Sequence, residues 1–195
     1  MNVQALMGLG RNDAAIALAD ERFKLLDGDQ DALVMKMETE ANRRNFVAAR
    51  GWTQKVIDEG KESAWLLNNM AWYALFTGKV EQADIDASIK STQMSKDSPS
   101  FLHTLACLYA ETGKTKEAHD LLLRGMDDLN LDEPNDDYWY GFGRIAEQYG
   151  EREIAIADYR KVQKPKEPLA INSSTYTLAQ TRLKALGANG SGVGK

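Results

Sequence analysis

The feature that most constrains the fold is a short turn sequence that recurs along most of the chain. Five six-residue stretches end in alanine, and four of them begin with glycine: GRNDAA, RNFVAA, GKVEQA, GKTKEA and GEREIA. They begin at residues 10, 44, 78, 113 and 150, so their spacings are 34, 34, 35 and 37 residues. A nearly constant period of this size predicts an array of similar structural units rather than one closed core.

The residues around these turns indicate that each unit is a pair of helices. About 14 residues with apolar side chains three and four apart precede each full turn, and a second helical run follows it. A turn glycine can adopt positive φ and end the first helix. Arg44 replaces glycine in one unit, which predicts that this turn closes differently. We find no alternating strand pattern, and the abundant Ala, Leu, Glu, Lys and Met favour helix.

The small and large residues within the units resemble the pattern of the tetratricopeptide repeat (TPR) family. In chain order the matching residues are Leu67, Met70, Ala71, Ala74, Gly78, Ala83 and Ala87, then Leu102, Leu105, Ala106, Tyr109, Gly113, Ala118 and Leu122, then Trp139, Phe142, Gly143, Ala146, Gly150, Ala155 and Tyr159. Ala146 departs from the usual tyrosine, and Lys36 and Glu40 of an earlier unit occupy positions where the family has apolar residues. The resemblance implies an all-α fold, an α-solenoid in which stacked antiparallel helical hairpins form a right-handed superhelix with a C-terminal capping helix.

The period also predicts the organisation of the chain. About nine residues precede the first turn, too few for a complete first helix. Residues 173–187 have the pattern of a capped amphipathic helix that covers the last hairpin, and the Gly-rich residues after it predict a flexible tail. The predicted segments are a partial first repeat at 1–29 (mainly its second helix), a degenerate repeat at 30–62, repeats at 63–99, 100–136 and 137–168, a capping helix at 169–187 and a flexible tail at 188–195.

Residues 141–146 have the Gly-x-Gly-x-x-Ala spacing of a dinucleotide-binding turn. That fingerprint requires a strand before it and a helix that begins at its third small residue, whereas the repeat places these residues inside a helix. We therefore expect Gly143 to let the two helices of its hairpin approach closely. Gly141 is expected to be merely tolerated, at a cost of about 1 kcal/mol relative to alanine.

By the resemblance, one face of each first helix lines a concave groove. In the unit 63–99 this face carries two tryptophans and a phenylalanine, which are costly to leave in water. Two interpretations stay open, since these rings either pack against neighbouring helices or form a peptide-binding pocket. Nearby asparagine amides can pair with a peptide backbone. The candidate groove residues are Trp65, Asn68, Asn69, Trp72, Phe76, His103, Tyr140 and Arg144.

Some TPR proteins bind a C-terminal carboxylate through Lys, Asn and Arg side chains on successive hairpins. Here Ser100, His103 and Thr104 occupy the places where bases are expected, so this specificity is disfavoured. The chain has 24 basic and 29 acidic residues of mixed distribution, and the net charge of −5 argues against nucleic-acid binding. No apolar run approaches the roughly 20 residues of a membrane span, and the N-terminus lacks the features of a signal peptide.

The reactive side chains do not indicate a catalytic or metal site. His103, Cys107 and Glu111 recur at intervals of four residues, but the two turns between the first and last span about 12 Å, which strains a shared metal site. Cys107 is expected to be a small structural residue. The acidic stretch DDLNLDEPNDD lacks the order of an EF-hand and is predicted to be a connecting loop.

The sequence therefore predicts a non-catalytic protein–protein interaction scaffold that binds a peptide or protein in its groove, with no cofactor and no metal. The alternative is a structural or regulatory appendage of a larger protein whose activity, such as that of an enzyme, lies upstream. The identity of the partner, the compartment and the oligomeric state stay open, because a single cysteine does not separate reducing from oxidising surroundings.

Overall fold

The computed structural model describes residues 2–25, 30–96 and 98–188, and within these ranges all regular secondary structure is helical. The helices are α1 (Val3–Gly8), α2 (Asn12–Leu25), α3 (Gln30–Asn42), α4 (Phe46–Asp58), α5 (Ala64–Ala74), α6 (Gln82–Met94), α7 (Pro99–Glu111), α8 (Thr115–Asp128), α9 (Asp136–Gln148), α10 (Arg152–Lys161), α11 (Pro168–Ile171) and α12 (Thr175–Ala185). The predicted all-α class is confirmed. Beyond residue 188, the predicted tail lies outside the described residues. Among the helices described, none is long and apolar enough to cross a membrane.

The first ten helices form five successive pairs. Each first helix packs on the second helix of its own pair, and each second helix packs on the first helix of the next pair. First helices also contact one another, α1 with α3, α5 with α7 and α7 with α9. The array therefore curves toward its first helices, whose free side is the concave face. The predicted solenoid of helical hairpins is confirmed.

The turn at Arg44 closes in the same way as the glycine turns, and the prediction that it differs was wrong. Arg44 has φ of +64°, and Gly113 has φ of +79°. The Arg44 amide donates to the Ala41 carbonyl at 2.9 Å and the next amide to Glu40 at 2.9 Å, the same pair of bonds that closes the Gly113 turn. The left-handed conformation costs a side-chain-bearing residue about 1–2 kcal/mol, which the packed hairpin offsets.

The repeat 63–99 departs from the predicted register after its turn. The other turn alanines, such as Ala118 and Ala155, are fully buried, whereas Ala83 is exposed. Helix α6 begins four residues after Gly78, while α8 begins two residues after Gly113. Ile85 consequently takes the buried position that the sequence pattern gave to Ala83.

The unexpected polar residues of α3 are buried with partners. Lys36 is 6% exposed and forms an ion pair with Asp20. Its Nζ lies 4.3 Å from the ring centroid of Trp52 and 5.1 Å from that of Phe23. The stem of the lysine thus fills an apolar position while its charge is paired and faces aromatic rings, an arrangement that this side chain permits.

The two glycines of α9 are both required by close packing. A Cβ at Gly143 lies 2.7 Å from the ring of Tyr159 on α10, as expected from its predicted role. A Cβ at Gly141 lies 2.9 Å from both δ-carbons of Leu122 on α8. The expectation that Gly141 is merely tolerated was therefore wrong, because this glycine lets α9 approach the preceding repeat.

Candidate protein-interaction groove

The concave face is partly filled by the chain's own C-terminal segment, residues 162–188. After α10 this segment turns back so that α11 contacts α1, and α12 contacts α9 and α10. The side chain of Asn172 donates to the Asn42 carbonyl at the end of α3, with an Nδ2–O distance of 2.7 Å. The indole Nε1 of Trp72 donates to the Ser173 carbonyl at 2.8 Å. The C-terminal segment therefore crosses the groove from the first repeat to the last.

Helix α12 is anchored by local capping and by its apolar side. Ser174 is its N-cap, and its hydroxyl accepts a hydrogen bond from the Thr177 amide. The Thr175 hydroxyl donates to Asp137 Oδ1 at 2.6 Å, which ties the start of α12 to the start of α9. Leu178 and Leu183 are buried in the same core as Tyr140. The helix predicted to cover the last hairpin thus also closes the adjoining part of the groove.

A buried network of charges joins this helix to the repeats. The Arg144 side chain is 5% exposed, and its guanidinium lies 2.7 Å from Glu111 Oε2 through Nε and 2.7 Å from Glu147 Oε2 through Nη1. Glu147 also accepts hydrogen bonds from Tyr159 and from Arg182 on α12, the latter with an Nε–Oε2 distance of 3.0 Å. Burial alone raises the pKa of Glu147, but the Arg182 and Tyr159 hydrogen bonds and the Arg144 charge outweigh it and hold the pKa below its usual range.

Three of the eight predicted groove residues belong to this buried region. Tyr140 is 2% exposed, Arg144 4% and His103 7%. The His103 Nε2 lies 3.0 Å from the Asp137 carbonyl oxygen, and its ring centroid is 5.8 Å from that of Trp72. The structure differs from the predicted open groove at these positions, because packing against neighbouring helices and the C-terminal segment covers the face on which they lie.

The aromatic residues on α5 and in the turn after it, Trp65, Trp72 and Phe76, differ in burial. The Phe76 ring stacks on Phe46 with centroids 4.4 Å apart, and Trp72 meets Phe76 edge-on at 5.7 Å. Trp72 is half-buried, but Trp65 is 43% exposed. The packing interpretation therefore holds for some of these residues, and the peptide-binding interpretation stays a prediction. Packing accounts for Phe76, and partly for Trp72, while Trp65 is left at the surface.

Two asparagines lie between the tryptophans on the same helix. Asn68 and Asn69 are half-buried, and the Asn68 Oδ1 atom is buried and accepts no hydrogen bond from the described residues. Trp65 precedes Trp72 by seven residues, or about two helical turns, so the two rings lie on one side of α5. We name Trp65, Asn68, Asn69 and Trp72 the open groove. The first three precede Trp72 on α5, and Trp72 is the residue that contacts the C-terminal segment.

The remaining reactive residues have structural surroundings. Cys107 is fully buried, and its Sγ lies 3.4 Å from the His103 Nε2. Burial raises the pKa of the Cys107 thiol well above its ordinary value, which disfavours the nucleophilic thiolate. Across residues 2–25, 30–96 and 98–188, no group of three or more His, Cys, Asp or Glu side chains is placed to hold a metal ion.

Burial of His103 predicts a pH-dependent contribution to stability. Burial lowers the pKa of His103 below 6.5, and this effect is larger than the opposing influence of Asp137. Well above pH 6.5 the imidazole is neutral in both states. As the pH falls from 6.5 toward the lowered folded pKa, the unfolded chain binds the proton more readily, so stability is lost. Denaturation at about pH 7.5 and about pH 5 should show a smaller loss for His103→Gln than for the wild type.

The second histidine supplies the control for this measurement. His119 has a 47% exposed side chain, so His119→Gln should lose stability with acid as the wild type does. Equal acid sensitivity of the wild type and His103→Gln would contradict the assigned burial effect.

Sequence reasoning missed the residues by which the C-terminal segment is held, chiefly Asn172, Thr175 and Arg182. Pro165 and Pro168 were the available signal, because prolines so close together interrupt a helix and allow the chain to change direction. They do not specify the direction, so the pattern predicted a cap on the last hairpin but not a segment that reaches α1.

Stacked helical hairpins with a concave face define the chain as a helical-repeat solenoid. Its fold is TPR-like, and it is similar to the crystal structure of TTC0263, a thermophilic TPR protein in Thermus thermophilus. The TM-score is 0.61, the sequence identity is 16%, and the similarity covers 94% of each chain. At this identity the similarity concerns the fold alone. No protein-family model matches the chain, and the comparison with curated proteins also gives no match.

Proposed function

We propose that the chain is a non-catalytic protein-interaction scaffold that binds a peptide or protein segment in the open groove. The TPR-like fold supports a scaffold, since such folds present rigid helices to partners. The observation that carries the proposal is the 43% exposure of Trp65 on the same helix face as the half-buried Trp72. Tryptophan is among the residues that are enriched in binding hot spots.

The open groove offers both kinds of contact that an extended peptide requires. The Trp65 ring provides apolar area for a side chain, and the amides of Asn68 and Asn69 can donate to and accept from a peptide backbone. The Asn68 Oδ1 atom, buried without a donor from the described residues, carries a desolvation cost of about 1–3 kcal/mol. Rotation of the half-buried Asn68 side chain to meet a ligand N–H removes that cost, which makes binding more favourable.

The surroundings of the nucleophilic and titratable groups support a non-catalytic function. Cys107 and His103 are buried together, and Glu111 is engaged by Arg144. The exposed features of the groove are aromatic and amide groups, which bind ligands without transferring protons or forming covalent intermediates.

The proposal predicts that Trp65→Ala weakens binding strongly and lowers thermal stability only slightly. Peptides are first selected on the wild-type chain from a phage-displayed random library, and their affinities are then measured by fluorescence anisotropy. Loss of the tryptophan should cost about 2 kcal/mol, or roughly 30-fold in Kd, because a central aromatic contact is removed. The melting temperature should fall by only about 2–4 °C, since the 43% exposed side chain loses part of its packing.

A matched control comes from the outer layer of helices. Leu123 on α8 is 44% exposed, nearly the same as Trp65, so Leu123→Ala removes a comparably exposed apolar side chain outside the groove. It should leave peptide affinity unchanged. The proposal fails if selected peptides bind the Trp65→Ala and Leu123→Ala variants equally, or if Trp65→Ala unfolds the array.

A further inference from the structure

Two neighbouring cavities flank helix α12. The smaller, about 240 Å³, lies between α12 and the turn ends of the first helices, and its apolar walls include Phe46, Phe76 and Leu178. The larger, about 520 Å³, lies on the other side of α12. Arg44 and Thr177 line both cavities, so a ligand that lies along α12 can reach both. The C-terminal segment therefore creates a composite site as it fills the groove.

The larger cavity has an uncompensated positive charge. Arg44, Lys164 and Lys184 are exposed on its rim and form no ion pair with any residue in the described part of the chain. All its other lining side chains are neutral. The chain as a whole has a net charge of −5, so this concentration of cations runs against the overall composition. Such a field favours an anionic ligand and excludes a cationic one.

The smaller cavity combines an apolar wall with the charged side chains of Arg44, Glu111 and Arg182. Phe46 and Phe76 stack at its wall with ring centroids 4.4 Å apart, and Leu178 contributes an aliphatic surface from α12. Glu111 is the one carboxylate of its lining, and it is held by Arg144 at 2.7 Å. The Arg144 guanidinium thus compensates the negative charge of Glu111. The apolar wall of the cavity can contact an apolar group of a ligand.

We propose that this composite site binds an acidic peptide segment of a protein partner that also carries an apolar side chain. The carboxylates of the segment pair with Arg44, Lys164 and Lys184, and its apolar side chain lies against Phe46 and Phe76. The inference rests on the proposed function as a protein-interaction scaffold and adds a second contact surface, of defined charge, next to the open groove.

The test uses the full chain and a fluorescein-labelled peptide of six glutamates and one central phenylalanine. The double variant Lys164→Ala/Lys184→Ala should weaken this peptide at least 10-fold, with an unchanged circular dichroism spectrum. Replacing the peptide's phenylalanine with glycine should also weaken it about 10-fold, since the apolar contact is lost. Affinity should fall as salt rises, because exposed charges are screened.

The matched control removes the same charge elsewhere. Lys61 and Lys116 are exposed and line neither cavity, so Lys61→Ala/Lys116→Ala should leave Kd within about twofold. The inference is overturned if the peptide does not bind, if both double variants weaken it equally, or if the glycine peptide binds as well as the phenylalanine peptide. Inorganic phosphate that competes at stoichiometric concentration would also overturn it, because the site would then be one for a small anion.

The outcomes separate this inference from the proposed function. Binding of the acidic peptide should be unaffected by Trp65→Ala. If library-selected peptides need Trp65 and the acidic peptide fails to bind, the composite site is wrong and the scaffold function stands. If the acidic peptide binds through Lys164 and Lys184 while no selected peptide depends on Trp65, the assignment of the open groove is wrong instead.

Discussion

Replacing Arg144 with methionine should lower the free energy of unfolding by about 3 kcal/mol, measured by urea denaturation. The guanidinium lies between Glu111 and Glu147, and its side chain is 5% exposed. Methionine keeps much of the apolar stem but leaves two partly buried carboxylates without their common partner. Removing one member of a buried charge network is costly because the remaining charges stay desolvated. Arg144 is thus expected to act on stability rather than as a residue that directly contacts a ligand.

An exposed arginine provides the comparison. Arg124 lies 4.0 Å from Asp128 with a 56% exposed side chain, and Arg124→Met should cost about 0.5 kcal/mol or less. The assignment would fail if the two substitutions cost the same. It would also fail if Arg144→Met left stability intact and weakened a peptide selected on the open groove.

The repeated hairpins could be predicted because their signals are local. Gly113 has positive φ, its amide donates to the Ala110 carbonyl, and the next amide donates to the Tyr109 carbonyl. A few neighbouring residues therefore specify the conformation of the turn. Buried alanines such as Ala118 then follow at a fixed distance. A period that repeats such short-range signals determines the fold class before any long-range contact is known.

The residue at which α6 begins could not be predicted from the local pattern, because it depends on a contact with the preceding repeat. Asp84 is fully buried and pairs with Arg50 of the preceding repeat, 34 residues earlier. Its carboxylate also accepts from the Glu81 amide at 2.8 Å, which favours the helix start at Gln82. A charged residue in a buried position contradicts the apolar pattern, so only the structure shows that its partner is present. Arg44 is an example of the opposite kind. Its turn disfavours a residue with a side chain, but the packed hairpin around it offsets that cost.

The candidate site could be predicted only in part, because the sequence pattern is local whereas burial of a face depends on tertiary contacts. The face of α5 that carries Trp65 and Trp72 followed from helical periodicity alone. The burial of Tyr140 and the exposure of Arg44 on a cavity both depend on the path of residues 162–188 after α10, which is a tertiary property. Sequence periodicity specifies which residues share a face, but it does not specify whether another part of the chain covers that face.

The most direct test of the close helix packing is a pair of glycine-to-alanine substitutions within helices. At Gly51 on α4 no atom lies within 4 Å of a new Cβ, so alanine should stabilise the chain by about 1 kcal/mol through its helix propensity. At Gly143 the new Cβ is 2.7 Å from the ring of Tyr159, which is fully buried and cannot move into solvent. Overpacking of about 3 kcal/mol then exceeds the same propensity gain and leaves a net loss of about 2 kcal/mol. Urea denaturation of the two variants should therefore differ by about 3 kcal/mol in unfolding free energy, and equal stabilisation by both would show that α9 and α10 are not held in close contact.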